Sequence, residues 1–207
     1  MGFFRWAAPI FSRFGDRWDE AAVQRMAASF ESALTDDCRC ILDVGGGTGA
    51  LAARLADALE AQVTVLDPSE DMLAYAPSRD DIRVVLGRAE TMPFEDDAFD
   101  GVIVTDAFHH FADIENATAE FARVVRDGGV VQVHELDPDS WLIRAVAVAE
   151  KALREPAAFL TPREMEELMA RHGIHGASEP HGRFQYVFTG HVRRQGQSRS
   201  QPSDDHM

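Results

Sequence analysis

The sequence predicts an α/β fold, a doubly wound and mostly parallel seven-stranded sheet with helices on both faces. Three observations carry this expectation. Short apolar runs alternate with helical stretches through the middle of the chain. The first run, Ile41-Leu42-Asp43-Val44, passes directly into the glycine cluster Gly45-Gly46-Gly47-Thr48-Gly49, and a helical segment follows. Two final apolar runs lie close enough in sequence to pair as an antiparallel hairpin.

The elements follow in order. Phe3 to Leu34 reads as helical. Phe3, Ala7, Ile10 and Phe14 share a face, with Pro9 starting or kinking the helix. A second helix runs from the N-cap Asp19 to Leu34, with Val23, Met26, Ala27, Phe30 and Leu34 as its apolar stripe. This aromatic-rich region is expected to pack as an extra helical layer or to cover an apolar substrate. Strands are expected at Arg39–Val44, Gln62–Leu66, Ile82–Leu86, Gly101–Thr105 and Val130–Glu135, with closing strands at Ile174–Glu179 and Phe184–Val192. Between them fall a helix ending near Leu59 and helices over Ser69–Ala76, Ile114–Val125, Trp141–Leu153 and Pro162–His172. The expected organisation is a helical lid over 1–37, a core over 38–192 and a polar, disordered tail over 193–207.

Composition narrows the partners. The chain has 207 residues, one domain's worth, and a net charge of −15. Such an excess of acid disfavours nucleic acid, whose phosphates call for clustered positive charge, and disfavours anionic lipid surfaces. No apolar run approaches the roughly 18 residues of a membrane span. Arg5 interrupts the N-terminal apolar stretch where a signal peptide would need continuity. Cys38 and Cys40 would point to one face of a strand, too far along it for an easy bridge, and they offer no zinc spacing. A cytoplasmic setting, no metal and a small-molecule partner are the expectations, with a homodimer allowed.

The glycine cluster carries the chemistry. Glycines let the backbone turn sharply and approach a ligand, and the following helix start offers free N–H groups. Asp67 ends the second strand at the distance where an acid reaches ribose hydroxyls. Gly45-x-Gly47-x-x-Ala50 also satisfies the dinucleotide fingerprint, which makes an NAD-dependent reductase an alternative. Asp43 argues the other way, because an acid there would repel a pyrophosphate yet could pair with the ammonium of an amino-acid moiety. It could also cap the glycine loop.

These residues resemble the class I S-adenosylmethionine-dependent methyltransferases, and most nearly their small-molecule branch of ubiquinone and menaquinone biosynthesis methyltransferases. ILDVGGGTG is similar to the first motif, VTVLDPSEDML to the second and GRAETMPFEDDAFDGVIV to the third. EFARVVRDGGVVQVHE and FLTPREMEELMARHGI are similar to later blocks. The resemblance implies a Rossmann-like sheet with an antiparallel last strand, S-adenosylmethionine as cofactor and S-adenosylhomocysteine as product. It implies that Gly45, Gly47 and Gly49 wrap the methionine part, with Asp43 near its ammonium. Asp67 and Pro68 would lie at the ribose, Met72, Arg88, Ala89 and Glu90 at the adenine, and Thr105 at the strand end beside the cofactor. Arg88 stands where the family usually has an acid, and arginine accepts no hydrogen bond.

Methyl transfer from a sulfonium needs alignment and exclusion of water, plus a base where the acceptor must lose a proton. His109, His110 and Asp106 are the candidates, since imidazoles titrate near neutrality and Asp106 follows the fourth strand. The histidines could instead brace their loop; His134 and Glu135, which end the fifth strand on the ligand side, could likewise be satisfied by the loop that follows or line the acceptor site. Ala107-Phe108-His109-His110 departs from the glycine-arginine-asparagine run of the quinone enzymes. The acceptor expected is small, aromatic or quinone- or polyketide-like, methylated on oxygen or carbon. A non-catalytic cofactor-binding partner subunit is the remaining alternative.

Overall fold

The computed structural model describes residues 19–35, 39–138, 159–182 and 184–194. The expected helices over Phe3–Phe14 and Trp141–Leu153, and the tail beyond 194, lie outside the described residues. So does most of the aromatic N-terminal region.

The described chain begins with α1 (Glu20–Glu31), where the Asp19 side chain accepts from the Ala22 N–H. The predicted stripe is its buried face: Val23, Met26, Ala27 and Phe30. Phe30 packs closely against the sheet because a central strand carries Gly101 there; a β-carbon on it would stand 2.6 Å from the ring. The remaining elements are β1 (Cys40–Val44), α2 (Ala50–Leu59), β2 (Gln62–Asp67), α3 (Glu70–Leu73), β3 (Ile82–Leu86) and β4 (Phe99–Thr105). A 3-10 turn (Phe108–His110), α4 (Ile114–Val124), β5 (Val125–Leu136), α5 (Pro162–Arg171), β6 (Ile174–His181) and β7 (Gln185–Val192) complete it.

The seven strands stand in the order β3-β2-β1-β4-β5-β7-β6. β1, β2, β3, β4 and β5 run parallel, and β7 inserts antiparallel between β5 and β6. The fold class read from the sequence holds, and so does the antiparallel last strand. Strand alternation sends Ile41, Ile103 and Val130 into the core with α1 and α2, and Leu42, Val102 and Val131 into the opposite core with α4 and α5.

Three local expectations are corrected. α3 covers four residues rather than Ser69–Ala76, because the chain turns away before Pro77, which cannot continue a helical bond. β5 starts at Val125, not Val130, with a shift in pairing opposite Phe99 and Gly101; Arg126-Asp127-Gly128-Gly129 reads as a turn but forms an irregular strand entry. Cys40 is disulfide-bonded. The strand spacing that argued against a bridge does not apply, because β1 begins at Cys40 and leaves Cys38, outside the described residues, before it.

Asp100 fastens the base of the sheet. It is buried and accepts from the Cys40 N–H at 2.9 Å, the Thr35 hydroxyl at 3.1 Å and the Arg126 guanidinium at 2.5 Å. Arg193 and Arg194 are tied to the body, the first donating to the Gly173 carbonyl and the second pairing with Asp97. Among the described residues no helix is long and apolar enough to cross a membrane.

Candidate active site

The glycine turn sits at the carboxyl end of β1, beside β2 and β4. The Gly45 N–H donates to the Leu66 carbonyl at 2.7 Å, which holds the turn against β2. Gly45 has φ +71°, and a β-carbon on it would meet that of Ala107 at 2.6 Å, so side chain and conformation are both excluded. Gly47 has φ +55° and lies against the Met72 methyl. Gly49 caps α2 with no side-chain partner, which leaves the first helical N–H groups open to a ligand.

Asp43 is fully buried beneath this turn. Neither carboxylate oxygen has a hydrogen-bond partner among the described residues, so the loop-capping alternative is not realised. Gly46 lies directly over it: a β-carbon there would be 2.5 Å from Oδ2. Burial, and then the nearby charge of Asp67, push the Asp43 carboxyl up to about 7. An unpartnered buried carboxylate is costly, and burial favours its protonated form.

Asp67 ends β2 and fastens the turn. Its Oδ2 accepts from the Gly47 N–H at 2.9 Å and its Oδ1 from the Ser69 N–H at 2.8 Å. Burial raises its carboxyl, and these two bonds oppose the rise. Each oxygen keeps a second lone pair, so these bonds leave ribose hydroxyls a place to donate. Pro68 is exposed beside it. Past β3, Ala89 is buried while Arg88 points outward with its side chain 58% exposed. Arg88 pairs with Glu90 at 3.3 Å, and Glu90 also accepts from the Ala112 N–H at 2.7 Å. Glu90 therefore ties the loop after β3 to the loop after β4.

At the end of β4, Thr105 is half-buried and pairs in register with His134 of β5. Asp106 follows at φ +49°, a strained conformation for a residue with a side chain. Its N–H donates to the His134 carbonyl, and its Oδ1 accepts from the Gln185 amide at 3.2 Å. His109 is buried and held by Glu135, which is itself fully buried. The two Glu135 oxygens lie 2.8 and 3.0 Å from His109 Nδ1, and one also accepts the His109 backbone N–H. The ring is stacked on Phe159 with centroids 4.5 Å apart, and His110 is 4.0 Å away on the same measure. His110 is the more accessible of the pair.

Sequence reasoning placed His134 and Glu135 together; alternation separates them. Glu135 faces α4 and α5, whereas His134 faces α1. There His134 Nε2 is 3.0 Å from Gln132 Oε1, and the Gln132 amide donates to Ser29 of α1. These residues floor a cavity of about 390 Å³ between α1 and β5–β7–β6, with Arg25 and His181 also in its lining. Burial, then the charge of His181, hold the His134 imidazole down at about 3, so it is neutral. Gln132, Ser29 and Gln185 were not singled out from sequence; the parity of Gln132 and His134 along one strand was the available signal.

Residues 42–133 match the methyltransferase domain family. That match covers less than half of the chain, and the sheet around it has the fold of the methyltransferase structures it superposes on. The chain is 35% identical over 145 residues to the ubiquinone/menaquinone biosynthesis C-methyltransferase of Paracoccus denitrificans, covering 61% of this chain and 57% of that one. The uncharacterized methyltransferase YcgJ of Bacillus subtilis is 31% identical, covering 59% and 52%. The chain thus spans about half the length of the curated relatives it matches. A putative methyltransferase of Haloferax volcanii, solved in complex with the Trm112 methyltransferase activator, superposes with a TM-score of 0.77 at 17% identity, covering 94% of this chain and 99% of its own. A possible histamine N-methyltransferase of Thermotoga maritima gives 0.67 at 23%, covering 92% and 98%. The last two likenesses are of fold.

Proposed function

We propose that the chain transfers a methyl group from S-adenosylmethionine to oxygen or carbon of a small acceptor, releasing S-adenosylhomocysteine. The observation that carries this is Asp43, buried and unpartnered under a glycine turn. A zwitterionic methionine moiety brings an ammonium to it, directly or through water, whereas the pyrophosphate of a dinucleotide would bring repulsion. The cofactor supplies an electrophilic methyl on a sulfonium. The glycine turn and the start of α2 receive its carboxylate, Asp67 its ribose, and Met72 and Ala89 the adenine side. Glu90 holds the adjoining loop, and exposed Arg88 is left to stack on the base or face water.

Asp106, strained at the mouth of the sheet beside the turn, is the residue we assign to the acceptor's proton, with His110 next to it. His109 belongs to the same loop; Glu135 holds its Nδ1 and keeps the loop in place. The cavity beside α1 offers room for a small aromatic or quinone-like acceptor, and the quinone-methylating relatives support that class. As the Haloferax protein was solved with an activator, we also propose that this chain works with a small activator protein. Isothermal titration with S-adenosylhomocysteine tests the core of the reading. Binding at micromolar concentration is expected, and no binding at millimolar ligand would sink it.

A further inference from the structure

Under α1 the sheet carries a buried amide that three other side chains share. Gln132 is 2% exposed. Its Nε2 donates to the Ser29 hydroxyl at 2.9 Å and to the Thr189 hydroxyl at 3.4 Å. Its Oε1 lies 3.0 Å from His134 Nε2. An amide oxygen only accepts, so the imidazole hydrogen sits on Nε2 and points at Gln132. Both amide hydrogens and the amide oxygen are thereby used.

This arrangement sets the direction of the two hydroxyls. Each accepts from Gln132, and among the described residues neither has an acceptor for its own hydrogen. Those hydrogens are left for whatever fills the cavity of about 390 Å³ that both hydroxyls line. The volume is that of a small-molecule site. Met26, Ala177 and Val187 give it apolar walls. Its floor of amide, hydroxyls and imidazole carries no charge, since burial holds His134 neutral. The charged side chains of the lining, Arg25 and Glu179, are exposed and of opposite sign, with His181 half-buried beside them. The floor also adjoins the residue assigned to the acceptor's proton. His134 pairs in register with Thr105, and its carbonyl accepts from the Asp106 N–H at 3.0 Å.

We propose that Gln132 sets the acceptor specificity: by holding Ser29 and Thr189 as paired donors on an uncharged floor, it selects a neutral acceptor presenting a carbonyl oxygen over an ammonium or a carboxylate. This rests on the methyltransferase reading above and names the chemistry of its acceptor site. An ammonium would give up its water to a floor without a carboxylate, and a carboxylate to a floor without a cation. A neutral carbonyl loses less on leaving water, and the two hydroxyls replace what it loses.

Three probes of matching size test this by titration calorimetry on the full chain saturated with S-adenosylhomocysteine: 1-tetralone, 1-naphthoate and 1-naphthylmethylamine. The ketone should bind at least about tenfold more tightly than either ion. Ser29→Ala and Thr189→Val should each weaken the ketone by about three- to tenfold and leave S-adenosylhomocysteine affinity unchanged. Gln132→Glu should shift the preference toward the amine by about tenfold or more, because a carboxylate then turns the hydroxyl hydrogens inward and supplies the missing charge. Either ion binding as tightly as the ketone, no ketone binding at millimolar concentration, or hydroxyl variants that hold the ketone as tightly as the parent would overturn the proposal. Failure of S-adenosylhomocysteine to bind would strike the methyltransferase reading, and the preference among the probes is then read on the ligand-free chain.

Discussion

Replacing Asp43 by asparagine keeps the shape of the side chain and removes its ability to ionise. In the folded chain the carboxyl holds its proton up to about 7, against 3.8 ordinarily. Each tenfold change in proton affinity is worth about 1.4 kcal/mol, so the ionised form costs the fold about 4 kcal/mol. The raised folded value fixes the sign. Between the two values the folded chain binds a proton that the unfolded chain has released. Wild-type stability from this group is therefore full below 3.8, falls as the pH rises, and is lost above 7. Asp43→Asn escapes that loss. It should match the parent near about pH 4, exceed it by about 2 kcal/mol near about pH 5.5, and by about 4 kcal/mol near about pH 8. Urea denaturation of the ligand-free chain at these pH values measures it. The same variant should bind S-adenosylmethionine about 10- to 100-fold more weakly, because a charge-assisted contact is gone. A variant no more stable than the parent at high pH, or a pH-independent difference, would refute the reasoning.

Three further perturbations test the frame of the site. Asp67→Ala strips the bonds that hold Gly47 and Ser69, and should weaken S-adenosylhomocysteine binding by about tenfold or more in titration calorimetry. Gly45→Ala combines a left-handed φ with overlap against Ala107; a stability loss above about 1 kcal/mol and loss of cofactor binding are expected from thermal melts and calorimetry. Glu135→Gln leaves a buried amide where two oxygens accept from His109 and Leu136, and should cost about 1–3 kcal/mol in denaturant while altering the His109 ring tautomer seen by nitrogen NMR.

How much of this was legible is clearest at particular residues. The glycine turn was readable because φ beyond the reach of ordinary residues leaves a compositional trace: Gly45, Gly47 and Gly49 all take left-handed values. The stripe of α1 was readable because burial of one helix face imposes a period. Asp43 and Asp67 could be named from their places at strand ends. What sequence spacing left open was which groups meet: that Asp43 would stand unpartnered, that Asp67 would hold the turn, and that His109 would be locked to Glu135 from a strand 26 residues away.

The sequence by itself therefore determined the local devices: strands where apolar runs are short, a sharp turn where glycines cluster, helices where the period is helical and an N-cap starts them. Only the tertiary structure decided the contacts between distant segments. Neighbouring side chains on a strand point to opposite faces, so His134 went to the cavity and Glu135 to the loop. The order of strands, not any property of its residues, left β3 at an edge with Val84 and Leu86 uncovered. Such outcomes depend on which strands lie beside one another, and no local pattern encodes that.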